Sequence, residues 1–191
     1  MTIKKPSSSQ PIPSNAKRVF KGKLFDTYQW EQKMFDGSFA TFEKIKRPST
    51  VMIIPIVKGK IVLTDQEQPA TGRFIGAIGG IVDPGEDVLV AAKRELLEES
   101  GYEAKKWILW DSVQLINKIE WPVYTFIARG CRKVKEMSLD AGEKIKLKSF
   151  SFEQFLKVAA DPEFRDHEIA LKVLRAKADP RELKKLRKDL S

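Results

Sequence analysis

From Arg18 to Val82 short apolar and β-branched runs alternate with turn signals, the pattern of successive strands. Val19 to Trp30 and Phe39 to Ile45 flank Asp36-Gly37, a hairpin turn pair. Val51 to Val57 and Lys60 to Thr64 form a second pair around Lys58-Gly59, and Phe74 to Val82 is extended and glycine-rich. The pattern then changes. Asp83-Pro84-Gly85 forms a turn, and the chain runs free of Gly and Pro to Gly101, which predicts a capped helix stopped by a C′ glycine. Trp107 to Leu115 and Val123 to Cys131 return to strand composition, and Glu143 to Phe150 is a shorter strand with Ile145, Leu147 and Ser149 on one side. Ser151 caps a helix that Pro162 ends, residues 166–177 form another, and Pro180 opens a basic terminal one. Strands, helix, strands and helices in one unit predict an α+β domain.

Length and composition fit that picture. The chain has 191 residues, 42% hydrophobic and 32% charged, enough for one packed domain and short for two. No apolar run is long enough for a membrane span, and the N-terminus lacks the apolar core of a secretory signal, so a cytoplasmic protein is expected. One cysteine, Cys131, excludes an internal disulfide and is expected as a buried thiol; one histidine, His167, excludes a histidine-rich metal site. Residues 1–16 are Ser/Pro/Lys-rich and are expected as a disordered tail. The net charge of +9 suggests a polyanion partner until it is located. Residues 1–18 carry +4 and residues 180–191 carry +3, leaving a nearly neutral body, so nucleic acid is not an expected partner.

Candidate chemistry concentrates on the predicted helix. Glu95, Glu98 and Glu99 stand at i, i+3 and i+4, so three carboxylates share one face. Like charges this close repel, and a cation offsets the repulsion. Oxygen ligands alone select Mg²⁺ or Mn²⁺.

The same stretch fits the Nudix box throughout, with Gly80, Glu86, Arg94, Glu95, Leu96, Glu98, Glu99, Gly101 and Tyr102 in register. The chain therefore resembles the Nudix hydrolases, which cleave nucleoside diphosphates linked to another moiety. Val19-Phe20-Lys21-Gly22-Lys23, Phe35-Asp36-Gly37 and Phe42-Glu43 are similar to the N-terminal β subdomain of the ADP-ribose pyrophosphatase branch. Gln66-Glu67-Gln68-Pro69 resembles its Gln-x-Arg-Pro segment, and Leu139-Asp140-Ala141-Gly142-Glu143 its acidic catalytic loop. Three departures stand out: Gln68 replaces Arg, Ile116-Asn117-Lys118-Ile119-Glu120 lacks the usual Pro, and so does Gly76-Ala77-Ile78-Gly79.

The resemblance implies a Nudix-type α/β/α sandwich with a mixed sheet, divided as an N-terminal β subdomain at 17–50, a hydrolase domain at 51–178 and a basic C-terminal helix at 179–191. It implies a hydrolase of ADP-ribose or a related nucleoside diphosphate sugar, dependent on Mg²⁺ or Mn²⁺ and homodimeric. Glu95, Glu98 and Glu99 are the expected metal ligands, and glycine at Gly79 lets its carbonyl approach the ion as another. Glu99 and Arg94 are expected in catalysis, with Arg94 orienting carboxylates or holding the box loop through Glu86. Glu143 is the expected general base and Glu120 its rival. Gln68 is the expected substrate contact, and Phe20, Phe25, Trp30 and Trp121 are candidates to stack on a base. A nucleotide-sensing module without turnover and an RNA 5′-end pyrophosphohydrolase remain as alternatives.

Overall fold

The computed structural model describes residues 3–69, 71–139, 141–142 and 144–191. In chain order its strands are β1 (Lys17–Lys21), β2 (Asp26–Lys33), β3 (Phe39–Lys46), β4 (Thr50–Val57), β5 (Lys60–Gln68), β6 (Gly72–Gly76) and β7 (Ile78–Ile81). Helix α1 (Val88–Ser100) follows. Next come β8 (Tyr102–Glu103), β9 (Lys106–Gln114), β10 (Ile119–Glu120), β11 (Pro122–Arg129), β12 (Arg132–Lys133) and β13 (Lys144–Phe150). The chain ends with α2 (Phe152–Val158), α3 (His167–Ala178) and α4 (Pro180–Asp189). The expected run from Val19 to Trp30 is two strands, because the chain turns at Gly22, whose N–H bonds Phe25 O at 2.9 Å.

The main sheet runs β13-β5-β4-β11-β9, with β11 parallel to β4 and antiparallel to β9. Strands β4 and β5 pair only near their shared turn and then splay apart. The segment β6–β7 enters the opening: β6 pairs with β5, and β7 pairs with the first half of β4. Pro55 falls between the parts of β4 that pair with β7 and with β5, which is how an inner strand accommodates a residue without an N–H.

Each face of this sheet is covered. Val51, Ile53, Tyr124 and Phe126 meet Ala91, Ala92 and Leu96 of α1 on one side. Met52, Ile54, Ile61 and Leu63 meet Phe155 of α2, Ile169 and Val173 of α3, and Leu186 of α4 on the other. Burial on both faces explains why β4 reads as a continuous apolar run rather than an alternation. The basic terminal helix thus docks by Leu186 and Leu190, and Arg129 Nη2 bonds its last-turn carbonyls at Lys188 and Asp189.

A second sheet, β1-β2-β3-β10, holds the N-terminal strands. The segment before it, expected to be disordered, forms no helix or strand in its described residues, 3–16, but is pinned. Lys44, 1% exposed, donates to Ser8 Oγ at 2.7 Å and Gln10 O at 2.5 Å. Lys5 pairs with Glu120 at 2.6 Å, and Gln114 Nε2 bonds Pro6 O at 2.9 Å. A buried ammonium needs acceptors, and this polar segment supplies them.

Candidate active site

Helix α1 sets the geometry of the site. Asp87 caps its N-terminus, accepting from Leu89 N at 2.9 Å and Val90 N at 3.2 Å. Gly101 ends it in the left-handed region at φ 69°, and a Cβ there would come within 2.0 Å of Lys135 O. Between these stops, Ala91, Ala92 and Leu96 face the sheet, which turns Glu95 and Glu99 toward β7.

Two glycines receive these carboxylates. Glu99 is 5% exposed, and its Oε2 accepts from Gly79 N at 3.2 Å. At Gly80 a Cβ would lie 2.3 Å from Glu95 Oε1, and at Gly79 2.1 Å from Val51 O. A side chain at Gly80 would displace the Glu95 carboxylate and one at Gly79 would strike the β4 backbone, so β7 presents bare backbone to the helix here. Glu98, farther round the helix, is more exposed.

Arg94 ties the box together. Its Nε and Nη2 grip Glu86 at 3.1 and 3.0 Å, and Nη1 bonds Glu95 at 2.7 Å and Glu98 at 3.2 Å. Nη2 also bonds Ile81 O at 3.0 Å. Hydrogen bonding to Arg94 holds the Glu86 carboxyl below its ordinary value, and Glu86 in turn is the main reason the guanidinium holds its proton more tightly.

Glu95, Glu98, Glu99 and the Gly79 backbone offer only oxygen donors, the set a hard divalent cation takes. Among the described residues no three acidic, histidine or cysteine side chains already form a ligand group. Arg94 instead bridges Glu95 and Glu98. Glu143, the expected base, lies outside the described residues; Lys144, which follows it, pairs with Glu67 of β5. Gln68 ends β5 at the turn into β6, where its carbonyl accepts from Thr71 N at 3.1 Å.

Other expectations fare differently. Glu120 bonds Lys5 and Ile12 N. Burial raises its affinity for a proton, yet Lys5, the Ile12 N–H and Lys46 together outweigh that and the net shift is downward. Glu120 is thus an ion-paired carboxylate beneath the N-terminal segment. Trp30 is 7% exposed and packs on Phe42, so it has no free face for a base. Trp121 donates to Thr50 Oγ1 at 2.8 Å and carries the Arg47 guanidinium 4.3 Å from its ring centre. Phe20 and Phe25 are exposed. Cys131 is partly buried, and burial pushes its thiol up to about 11.

Sequence reasoning passed over Arg47. Its Nε is buried with no hydrogen-bond partner among the described residues. It precedes Ser49, whose carbonyl accepts from Val82 N at 2.9 Å, and Thr50, which pairs with Ile81. Arg94 bonds that same Ile81. No spacing in the sequence signals this neighbourhood, because the splayed sheet creates it.

Comparison with known proteins bears on the family and the fold. Residues 46–172 match the NUDIX domain family. The chain is similar to the ADP-ribose pyrophosphatase of Bacillus subtilis (strain 168), with 29% identity over 160 residues, 80% of this chain and 85% of that protein. It is 33% identical over 102 residues to the ADP compounds hydrolase NudE of Escherichia coli (strain K12), across 51% of this chain and 54% of that one. A crystal structure of an ADP compounds hydrolase has the same fold, with a TM-score of 0.71 at 24% identity, covering 88% of this chain and 94% of that chain.

Proposed function

Because the chain belongs to the NUDIX family, we propose that this enzyme hydrolyses the pyrophosphate of ADP-ribose or a related nucleoside diphosphate sugar, giving a nucleoside monophosphate and a sugar phosphate. One observation carries the reading: Glu95 and Glu99 lie against the bare backbone of β7, with Arg94 joining Glu95 to Glu98 and Glu86. The names of the relatives support the substrate class.

Glu95, Glu98, Glu99 and the Gly79 carbonyl are the residues that would hold Mg²⁺ or Mn²⁺. Such cations neutralise the diphosphate and lower the pKa of a bound water. Glu99, anchored by Gly79 N–H, holds its carboxylate in one orientation, and Arg94 orients Glu95 and Glu98 from outside. Glu143, which precedes Lys144 in sequence, takes the proton of the attacking water. Arg47, whose guanidinium stacks on Trp121 just before β4, offers a positive charge to a phosphate or ribose oxygen, while Gln68 stands where an arginine is expected. Gln68 itself lies at the β5–β6 turn as an uncharged substrate contact. Two chains pair through the N-terminal sheet, where Val19, Phe20 and Phe39 are exposed.

The test is a panel of ADP-ribose, other nucleoside diphosphate sugars and dinucleotides, each with Mg²⁺ or Mn²⁺, with products resolved by phosphorus NMR. ADP-ribose is expected to yield AMP and ribose 5-phosphate. Nucleotide binding without turnover of any member would contradict the reading and favour a sensing module.

A further inference from the structure

At the junction of β6 and β7 the chain changes neighbours, leaving β5 for β4. One peptide group makes that step, the carbonyl of Gly76 and the N–H of Ala77. Side chains from outside the box hold it at both ends. Thr64 Oγ1 donates to Gly76 O at 2.9 Å, and Asp166 Oδ2 accepts from Ala77 N at 2.6 Å. Thr64 is fully buried and itself receives Gln66 Nε2 at 2.8 Å. Gly76 is part of the fit, since a Cβ there would lie 3.0 Å from Asp166 Oδ2. Asp166 is fixed in turn: Arg165 N bonds Ile75 O at 3.0 Å, Ile75 N bonds Glu163 O at 3.3 Å, and Phe164 bridges Ile75 in parallel.

Three residues beyond Gly76 stands Gly79, whose N–H reaches Glu99. The link between them is short, extended backbone, so a shift at Ala77 is transmitted to Gly79 with little loss. We propose that Thr64 and Asp166 are positioning residues that fix the β7 backbone against Glu99, and so set the affinity of the site for a divalent cation. The inference rests on reading Gly79 and the α1 carboxylates as that site. Neither residue belongs to the box motif. Their action is that of outer-shell partners, whose loss costs a metal site about ten- to a hundredfold in affinity.

The experiment measures Mn²⁺ binding to the full chain without nucleotide, by electron paramagnetic resonance of the free ion, beside thermal melts. Thr64→Val removes the donor and keeps the shape; Asp166→Ala removes the acceptor. Each is expected to weaken Mn²⁺ binding about tenfold. Thr64→Ser and Asp166→Asn, which restore a donor and an acceptor, are expected to stay within about threefold of wild type. Melts identify any variant that fails to fold, and the Thr64 pair then decides alone. Folded Thr64→Val and Asp166→Ala proteins that bind Mn²⁺ like wild type would overturn the proposal, as would Ser and Asn variants no better than Val and Ala. Glu99→Gln is the control. If it too binds Mn²⁺ like wild type, the reading of the site falls and the proposal falls with it. If only Glu99→Gln weakens binding, the site stands and the positioning role is wrong.

Discussion

Arg94 spends its five guanidinium donors on five acceptors: two oxygens of Glu86, one each of Glu95 and Glu98, and the carbonyl of Ile81. Lysine keeps the charge but has neither the planar fork nor the donors to span loop, strand and helix together. Arg94→Lys is therefore expected to lower kcat/KM by about ten- to a hundredfold. It should also cost about 1.5–3 kcal/mol of stability, the range for hydrogen bonds to charged groups. Steady-state kinetics and denaturant melts check both, and a variant unchanged in both would show that the hub carries neither role. Most of these residues were legible in the sequence, because their spacing on one helix and one turn already places them together. Arg47 was not, since its distinguishing features are a stack on Trp121 and a buried Nε without a partner among the described residues, which exist only once β3, β4 and the segment before β11 are assembled. Among the four candidate stacking residues the sequence offered no choice, because an aromatic residue in a strand looks the same whether it faces a ligand or, as Trp30 does, Phe42.

Helices and strands were read largely as they stand, because turn residues and caps such as Asp87, Gly101 and Ser151 act locally. The splaying of β4 from β5 was not legible. It depends on β6–β7 entering between them, a contact between segments that no period reveals. Asp166 ties that insertion to the start of α3 and pays for it in charge. Burial, with Glu168 adding to it and the Ala77 N–H and Arg165 opposing, pushes its carboxyl up to about 7. The folded state then holds the proton more tightly than the unfolded one, whose value stays near 3.8. Stability from this group is full below pH 3.8, is lost as pH rises toward 7, and changes little above that. The loss is at most about 4 kcal/mol, and less where water reaches the side chain. Asp166→Asn has no proton to lose. The melting temperature of Asp166→Asn minus that of wild type should rise between pH 5 and pH 8, and a difference flat across that range would contradict the account.

The whole molecule joins a three-layer sandwich to a small N-terminal sheet with exposed Phe20, Phe35 and Phe39. The sandwich was legible from the order of elements together with the family resemblance. The pinned N-terminal segment was not, because its Ser/Pro/Lys composition conceals that Ser8 and Gln10 satisfy a lysine buried in β3. Exposed aromatic residues on a sheet predict self-association, so light scattering should give twice the chain mass, and Phe20→Ser with Phe39→Ser should shift it toward one. A wild-type chain that is monomeric and fully active would refute pairing through this sheet. The central claim is that the α1 carboxylates facing β7 hold the cations that drive diphosphate hydrolysis. Glu99→Gln tests it most directly, because glutamine keeps the volume and an acceptor for Gly79 N–H and removes only the charge. With ADP-ribose and saturating Mg²⁺, phosphorus NMR should show release of AMP falling by several orders of magnitude while circular dichroism and metal-free melting hold at or above wild type. Release of AMP at the wild-type rate by a folded Glu99→Gln protein would contradict the account.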